Sequence, residues 1–187
     1  MKSIYLFIFV SLLVSLILSC GTKESIQRDI NIETDSISFN FPVVTDTIST
    51  SQNLASISTT VSLDNIIKTQ TNEQFSIADL RAAHIIGFKI KLSKPDTSQT
   101  NYNNLRVYSA LALGLSSATA NAIPVGVLNN NPDLYSTGLS IPVTNTGDLK
   151  SNLNSSVTYL ITGEARRKNT KVMAAKAVIQ YQITVGR

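Results

Sequence analysis

The chain has 187 residues, of which 43% are hydrophobic and 15% charged, and its formal net charge at pH 7 is +4. So mild and sparse a charge excludes the basic footprint of a nucleic-acid-binding protein. The length suits one domain that buries about 70% of its unfolded surface, and the single cysteine excludes an intrachain disulfide.

The first nineteen residues have the pattern of an export signal. Lys2 supplies a positive charge, residues 4–18 are almost wholly apolar, and Ser19 is the small residue that precedes a processing site. The apolar run is short for a membrane span, which needs roughly 20 residues, and no basic cluster follows it. We therefore predict a cleaved signal peptide over residues 1–19, with a retained membrane helix as the alternative.

Ile17, Leu18, Ser19 and Cys20 resemble the lipobox of bacterial lipoproteins. Leu18 departs from the pattern, since small residues are commoner there. The resemblance implies that the Cys20 thiol receives a diacylglycerol, that Cys20 becomes the first mature residue, and that its amine is acylated too. Two or three acyl chains anchor firmly, at about 0.8 kcal/mol per buried methylene. Gly21 in place of aspartate implies the outer membrane of a Gram-negative bacterium. An ordinary signal or a buried membrane-helix cysteine is the alternative.

Residues 20–36 are polar and lack a clear period, which is typical of a tether. As a flexible coil this segment spans on the order of 20–25 Å. Ile26, Ile30 and Ile32 alternatively predict an early edge strand. Loss of Lys2 with the signal leaves 15 basic and 12 acidic residues, a net charge of +3.

From residue 37 to residue 187 apolar and polar residues alternate with a period of two, which predicts strands with one face in a core. The alternation occurs at about eight segments: residues 37–43, 57–63, 86–92, 105–113, 123–128, 139–143, 157–163 and 173–185. Turn residues separate them. The pattern predicts an all-β fold, a two-sheet antiparallel sandwich that is immunoglobulin-like in the broad sense.

Three details of these strands are specific enough to test. Ile86, Phe88, Ile90 and Leu92 should share the core face, opposite Lys89 and Lys91. The last segment is the longest, and Ile179 and Ile183 should both be buried in it. Pro42 and Pro142 should mark edge strands, because proline cannot donate a ladder hydrogen bond.

Short helices are predicted in three connections. Ser76 and Asp79 form a weak capping-box pattern before an apolar face that runs to Ala83. Residues 63–70 and residues 147–153 are the other two candidates.

Residues that carry chemistry are scarce. His84 is the one histidine, and we interpret it as a packing or capping residue that follows the predicted helix. Zinc sites need several His or Cys ligands, and the glycines form no phosphate-binding fingerprint. We therefore predict no catalytic residues, no metal and no cofactor.

The densest charge cluster comprises Arg166, Arg167, Lys168 and Lys171, at a predicted hairpin tip. We favour a solvated turn. The alternative is contact with an anionic surface, at about 1 kcal/mol per basic residue.

Tyr102 and Tyr135 lie in turn-rich loops, and Tyr108 lies opposite the core-facing Val107. All three are candidates to stack on a sugar, whereas Tyr159 and Tyr181 are predicted to be core residues.

The sequence thus predicts a lipid-anchored envelope lipoprotein that acts as a non-enzymatic structural or binding module. Its expected partners are the membrane, through the acyl chains on Cys20, and an envelope protein or glycan. The first alternative is a glycan-binding accessory lipoprotein that uses loop tyrosines, and the second is an enzyme of unknown type.

Overall fold

A computed structural model of the chain describes residues 26–59, 63–94, 103–116, 122–153 and 157–187. These residues form nine strands: β1 (Gln27–Glu33), β2 (Ile37–Phe41), β3 (Ile48–Thr59), β4 (Leu80–Leu92), β5 (Tyr108–Leu115), β6 (Ile123–Leu128), β7 (Gly138–Ile141), β8 (Val157–Ala165) and β9 (Met173–Gly186). They also form the helices α1 (Leu63–Gln70) and α2 (Lys150–Leu153), and two short 3-10 helices, Ile77–Asp79 and Leu105–Val107.

The strands form two packed antiparallel sheets, which confirms the predicted all-β sandwich. In the front sheet, β1 and β2 both pair with β9, and the order continues through β4 to β7. The back sheet has the order β3-β8-β5-β6. Because β1 and β2 lie along successive stretches of β9, they act as one interrupted strand. The eight positions then have the order of a jelly roll, which refines the broad term immunoglobulin-like.

The first strand corrects the predicted tether. Gln27–Glu33 pairs in full with β9, so the segment predicted as a tether over residues 20–36 enters the domain at β1. The alternative, an early edge strand, is what forms. Thr34 joins β1 to β2, since its N–H donates to Ile179 O at 3.0 Å and its hydroxyl accepts from Ile179 N at 3.1 Å. Residues 20–25 lie outside the described residues.

The last strand lies at the centre of the front sheet, between β1/β2 and β4. Every second residue from Met173 to Val185 is buried, and Ile179 and Ile183 have no exposed area. Tyr159 and Tyr181 are also buried. The predicted one-sided strand and the predicted core tyrosines are therefore confirmed.

A β-bulge corrects the prediction for the start of the strand at residues 86–92. Phe88, Ile90 and Leu92 face the core as expected, but Ile86 is 47% exposed and Ile85 is buried in its place. The register of β4 against β9 shifts between Ile85 and Gly87. A bulge adds one residue to one strand, and this shifts the inward and outward alternation by one position.

The predicted helix after Ser76 is wrong in extent. Only Ile77–Asp79 is helical, and β4 begins at Leu80. The capping pattern survives, because Ser76 N donates to the Asp79 carboxylate at 2.9 Å. Beyond it, pairing with β9 overrides the weak local helix signal. The helix predicted at residues 63–70 is confirmed as α1, and α2 lies within the third predicted segment.

The two prolines mark edge strands, as predicted. Pro42 directly follows β2 and Pro142 directly follows β7, and both strands lie at edges of the front sheet. Past Pro142 the chain crosses to the back sheet, where Val143 pairs with Gly126 of β6. Pro142 O accepts from Val127 N at 3.0 Å. This crossover links the two sheets along one side of the sandwich.

Candidate functional site

A surface cleft of about 740 Å³ lies against the front sheet, beside its β7 edge. Its side walls come from β4, β7 and β9. The charged and hydroxyl side chains among its lining residues are Ser36, Lys89, Lys91, Ser93, Thr137, Ser140 and Lys176. The lysines face outward because alternate residues of β4 and β9 are buried in the core.

Strand register brings the three lysines of the cleft together. Lys91 of β4 lies directly opposite Lys176 of β9, and Lys89 lies one outward position further along β4. Lys89 is flanked by Val178 on one side and by Ser140 on the other. Like charges directly opposite one another in a sheet are destabilising. The front sheet therefore carries a repulsive pair, Lys91 and Lys176, that does not stabilise the sheet.

The charge of the cleft is not neutralised by the described part of the chain. Lys89, Lys91 and Lys176 form no salt bridge with any described carboxylate, whereas the arginines around Asp133 do. Glu33, further along the same face, accepts instead from Gln180 Nε2 at 2.7 Å. Ammonium groups beside hydroxyl donors are suited to hold an anion through charge-assisted hydrogen bonds. The cleft can therefore bind an anionic group.

The predicted basic hairpin tip has a different structure. Arg166, Arg167, Lys168 and Lys171 follow β8, but β8 and β9 belong to different sheets, so the loop is an arch between sheets rather than a hairpin. The sequence suggests a hairpin because the two strand patterns are consecutive. Consecutive strands of a jelly roll, however, often lie in opposite sheets. The arch is held by Asn169, which is 3% exposed and donates to Lys171 O at 2.9 Å.

Asp133 organises the arginines next to this arch. Its carboxylate accepts from Arg106 Nε at 3.1 Å and from Arg167, and it lies 4.0 Å from an Arg166 nitrogen. Burial opposes ionisation of Asp133, but the hydrogen bond from Arg106 and the three positive charges outweigh it, so its pKa is lowered. Arg166 and Arg167 thus have structural partners, while Lys168 and Lys171 are exposed.

Tyr108 is not exposed, which corrects its place among the sugar-stacking candidates. Its side chain has no exposed area, and its ring lies 4.9 Å from that of Phe41. Val107 is buried at the end of the 3-10 helix that precedes β5, and a bulge between Tyr108 and Ala110 shifts the alternation of β5 so that Tyr108 faces the core too. Tyr135 lies half-buried in its loop, and Tyr102 lies outside the described residues. Because Tyr108 is buried, the two described tyrosines, Tyr108 and Tyr135, form no exposed platform.

His84 lies within β4 rather than after a helix. Its Nδ1 is 3.1 Å from Gly147 O. Next to it, the Asp148 carboxylate accepts from Ala83 N and from Lys150 N, both at 2.9 Å. These hydrogen bonds lower the pKa of Asp148. His84 therefore helps to hold the loop before α2 against the front sheet.

Comparisons with known proteins give no family for the chain: no family model matches it, and no curated protein matches it significantly. Among the described residues, no group of three or more His, Cys, Asp and Glu side chains is placed to hold a metal. No helix of that same part is long and apolar enough to cross a membrane. Cys20, its lipobox and the predicted signal peptide lie outside the described residues.

The lysine cleft is not predicted from the sequence, although part of its signal is visible there. The alternation in residues 86–92 already placed Lys89 and Lys91 on one outward face. Lys176 was visible as an outward residue of the last strand. Their meeting depends on the pairing of β4 with β9, which are more than 80 residues apart at this point, and no local pattern specifies it.

Proposed function

We propose that the protein is a lipid-anchored, non-enzymatic binding module of the bacterial cell envelope, and that it binds anionic groups in the lysine cleft. One observation carries the proposal: Lys89, Lys91 and Lys176 share a cleft in which no described carboxylate pairs with them. A repulsive cross-strand lysine pair costs stability unless a ligand supplies the opposite charge. Such a site fits a binding protein better than a purely structural one.

The anchor is supported by the lipobox resemblance at Cys20 and by where the domain begins. Ile26 immediately precedes β1, so only a short segment separates Cys20 from the folded domain. This segment reaches at most roughly 20 Å when fully extended. The domain is then held close to the membrane and not carried on a long stalk.

Binding is tested with small anions and full-length protein in a neutral detergent. A ligand that binds only the folded state raises its melting temperature in proportion to the logarithm of ligand concentration. We expect tripolyphosphate to raise the melting temperature more than sodium chloride of equal ionic strength. Lys91→Gln/Lys176→Gln should abolish the difference.

The matched control is Lys168→Gln/Lys171→Gln, which removes the same charge from the exposed arch. This variant should respond to tripolyphosphate as the unaltered protein does. The control is needed because some anions stabilise proteins without a specific site, by exclusion from the protein surface. An equal response from both double variants would contradict binding in the cleft.

The anchor is tested by fractionation of cells that express Cys20→Ser. We expect the unaltered protein in the outer-membrane fraction, and the variant either soluble or left with an uncut signal peptide. Cys20→Ser protein that is correctly cleaved and still bound to the membrane would contradict lipid anchoring.

A further inference from the structure

We infer that the ligand of the lysine cleft is an acidic glycan chain, met at the end of the domain that lies away from the anchoring membrane. This inference rests on the proposed function and names its ligand. Three observations support it: the distance of the cleft from the entry of the chain, the distribution of charge over the front sheet, and the chemistry of the cleft lining.

The cleft lies far from the point where the chain enters the domain. Gln27, the first residue of β1, pairs with Gly186 at the end of β9. Lys176 lies ten residues earlier on the same strand. At the rise of an antiparallel strand, this separation is about 33 Å. The cleft and the entry of the chain thus lie toward opposite ends of the front sheet.

Charge along the front sheet is divided in the same direction. On the entry side of the cleft, β1 carries Asp29 and Glu33, whose carboxylates accept from Thr184 Oγ1 at 2.6 Å and from Gln180 Nε2 at 2.7 Å. Neither of these carboxylates forms a salt bridge with a described cation. The outward face is therefore acidic along β1 and basic at the cleft.

The distance along β9 separates the cleft from the headgroups of the protein's own membrane. The field of an anionic surface decays over about 8 Å at physiological ionic strength, which is much less than the separation along β9. Tilting the face onto that surface would also press Asp29 and Glu33 against like charge. An anionic ligand must then come from material beyond the membrane surface.

The lining of the cleft indicates the kind of ligand. Its lining residues within the described part of the chain include no aromatic side chain, so no described ring is placed there for a neutral sugar to stack on. Its lysines and its serine and threonine hydroxyls suit the charged groups and the hydroxyls of an acidic sugar. Lys89 is separated from Lys91 by about 7 Å along β4. Charge spread over this distance fits successive anionic groups of a chain better than one compact anion.

The test measures affinity against ligand length, with full-length protein in a neutral detergent. The probes are oligogalacturonates of one to eight units, dextran of the same lengths, and phosphatidylglycerol vesicles. We expect affinity to rise at least tenfold from the monosaccharide to the longer acidic oligomers, and no binding of dextran. Lys91→Gln/Lys176→Gln should weaken oligomer binding at least about tenfold, since it removes two charge-assisted hydrogen bonds to the ligand. Lys168→Gln/Lys171→Gln should not.

The outcomes separate this inference from the proposed function. If galacturonate monomer, tripolyphosphate and the oligomers all bind equally, the cleft takes single anions and the glycan inference is wrong while the proposed function stands. If none of these anions binds, both are wrong. Vesicle binding that is lost with Lys91→Gln/Lys176→Gln would assign the cleft to lipid headgroups and overturn the inference. Equal losses in the two double variants would assign binding to net charge.

Discussion

The hydroxyl groups of Tyr159 and Tyr181 lie 2.5 Å apart in the core and form a hydrogen bond between the two sheets. Tyr159 belongs to β8 of the back sheet and Tyr181 to β9 of the front sheet. Burial raises the pKa of both hydroxyls, that of Tyr181 to about 12. Tyr108 is equally buried, but its hydroxyl has no hydrogen-bond partner in the described structure.

This contrast predicts different effects for the same substitution at the two positions. Tyr159→Phe leaves the Tyr181 hydroxyl buried without its partner, and should lower the free energy of unfolding by about 1–3 kcal/mol. Tyr108→Phe removes a hydroxyl that is already unpaired, so it should cause no loss. Urea unfolding of both variants measures the difference. The double variant Tyr159→Phe/Tyr181→Phe should recover part of the loss, and equal effects of the two single variants would contradict the interpretation.

The sidedness of β9 predicts a second pair of outcomes. Ile179→Asp places an unpaired charge in the core and also loses packing worth about 2–5 kcal/mol, against a total stability of roughly 5–15 kcal/mol. We expect it to unfold the domain. Gln182→Asp introduces the same residue on the exposed face of the strand and should be tolerated.

Thermal melts of the two β9 variants give the comparison. Gln182 is a better control than Gln180, because the Gln180 side chain lies over Gly87 and donates to Glu33. If Ile179→Asp does not accumulate, Ile179→Val still tests burial, with an expected loss of about 0.5–1.5 kcal/mol. A melt unchanged by either Ile179 substitution would contradict its place in the core.

The contacts of Asp79 predict that the stability of the domain depends on pH. Arg187 donates to its carboxylate at 2.9 and 3.2 Å, and Ser76 N donates at 2.9 Å. These contacts lower the pKa of Asp79 to about 2, below the value of about 3.9 of an unfolded chain. Because the folded state holds this proton more weakly, the stabilisation is present above the unfolded pKa and is lost as pH falls through about 2.

The measurement compares melting temperatures of the unaltered protein and Asp79→Asn from pH 7 to pH 2. We expect Asp79→Asn to be less stable at pH 7, and the gap to close between about pH 4 and pH 2. Asp46→Asn is the matched control, since the Asp46 carboxylate accepts its hydrogen bond from the neighbouring Thr47 N. A gap that is constant across this range would show that Asp79 does not stabilise the fold through its charge.

We expect the crossover between the sheets to require glycine at position 126. A Cβ added there would lie 2.4 Å from Pro142 O, the backbone acceptor that joins β6 to the crossing segment. Gly126→Ala should therefore force the crossover apart and lower the melting temperature. Gly114→Ala is the control in the same sheet, where the closest atom, 3.1 Å away, is the side-chain Cβ of Ala122. Equal melting temperatures for the two variants would contradict the close approach.

Features that depend on local periodicity could be predicted from the sequence. Side chains alternate across any extended strand, so the burial of Ile179 and Ile183 was predictable without knowledge of their partners. The edge positions before Pro42 and Pro142 followed in the same way, because a missing N–H is a property of the residue itself. The core tyrosines of β8 and β9 could be predicted from the same alternation.

Features that depend on pairing between distant segments follow from the fold and not from any local pattern. The bulges at Ile86 and beside Tyr108 exist because β4 and β5 must match the registers of β9 and β8, and each bulge reverses the local alternation. The polar segment Gln27–Glu33 forms a strand because it pairs with the backbone of β9. The lysine cleft arises because the pairing of β4 with β9 sets Lys91 opposite Lys176. Alternation is a property of each strand, whereas register is a property of two strands together, and so the candidate site could be located only in the folded chain.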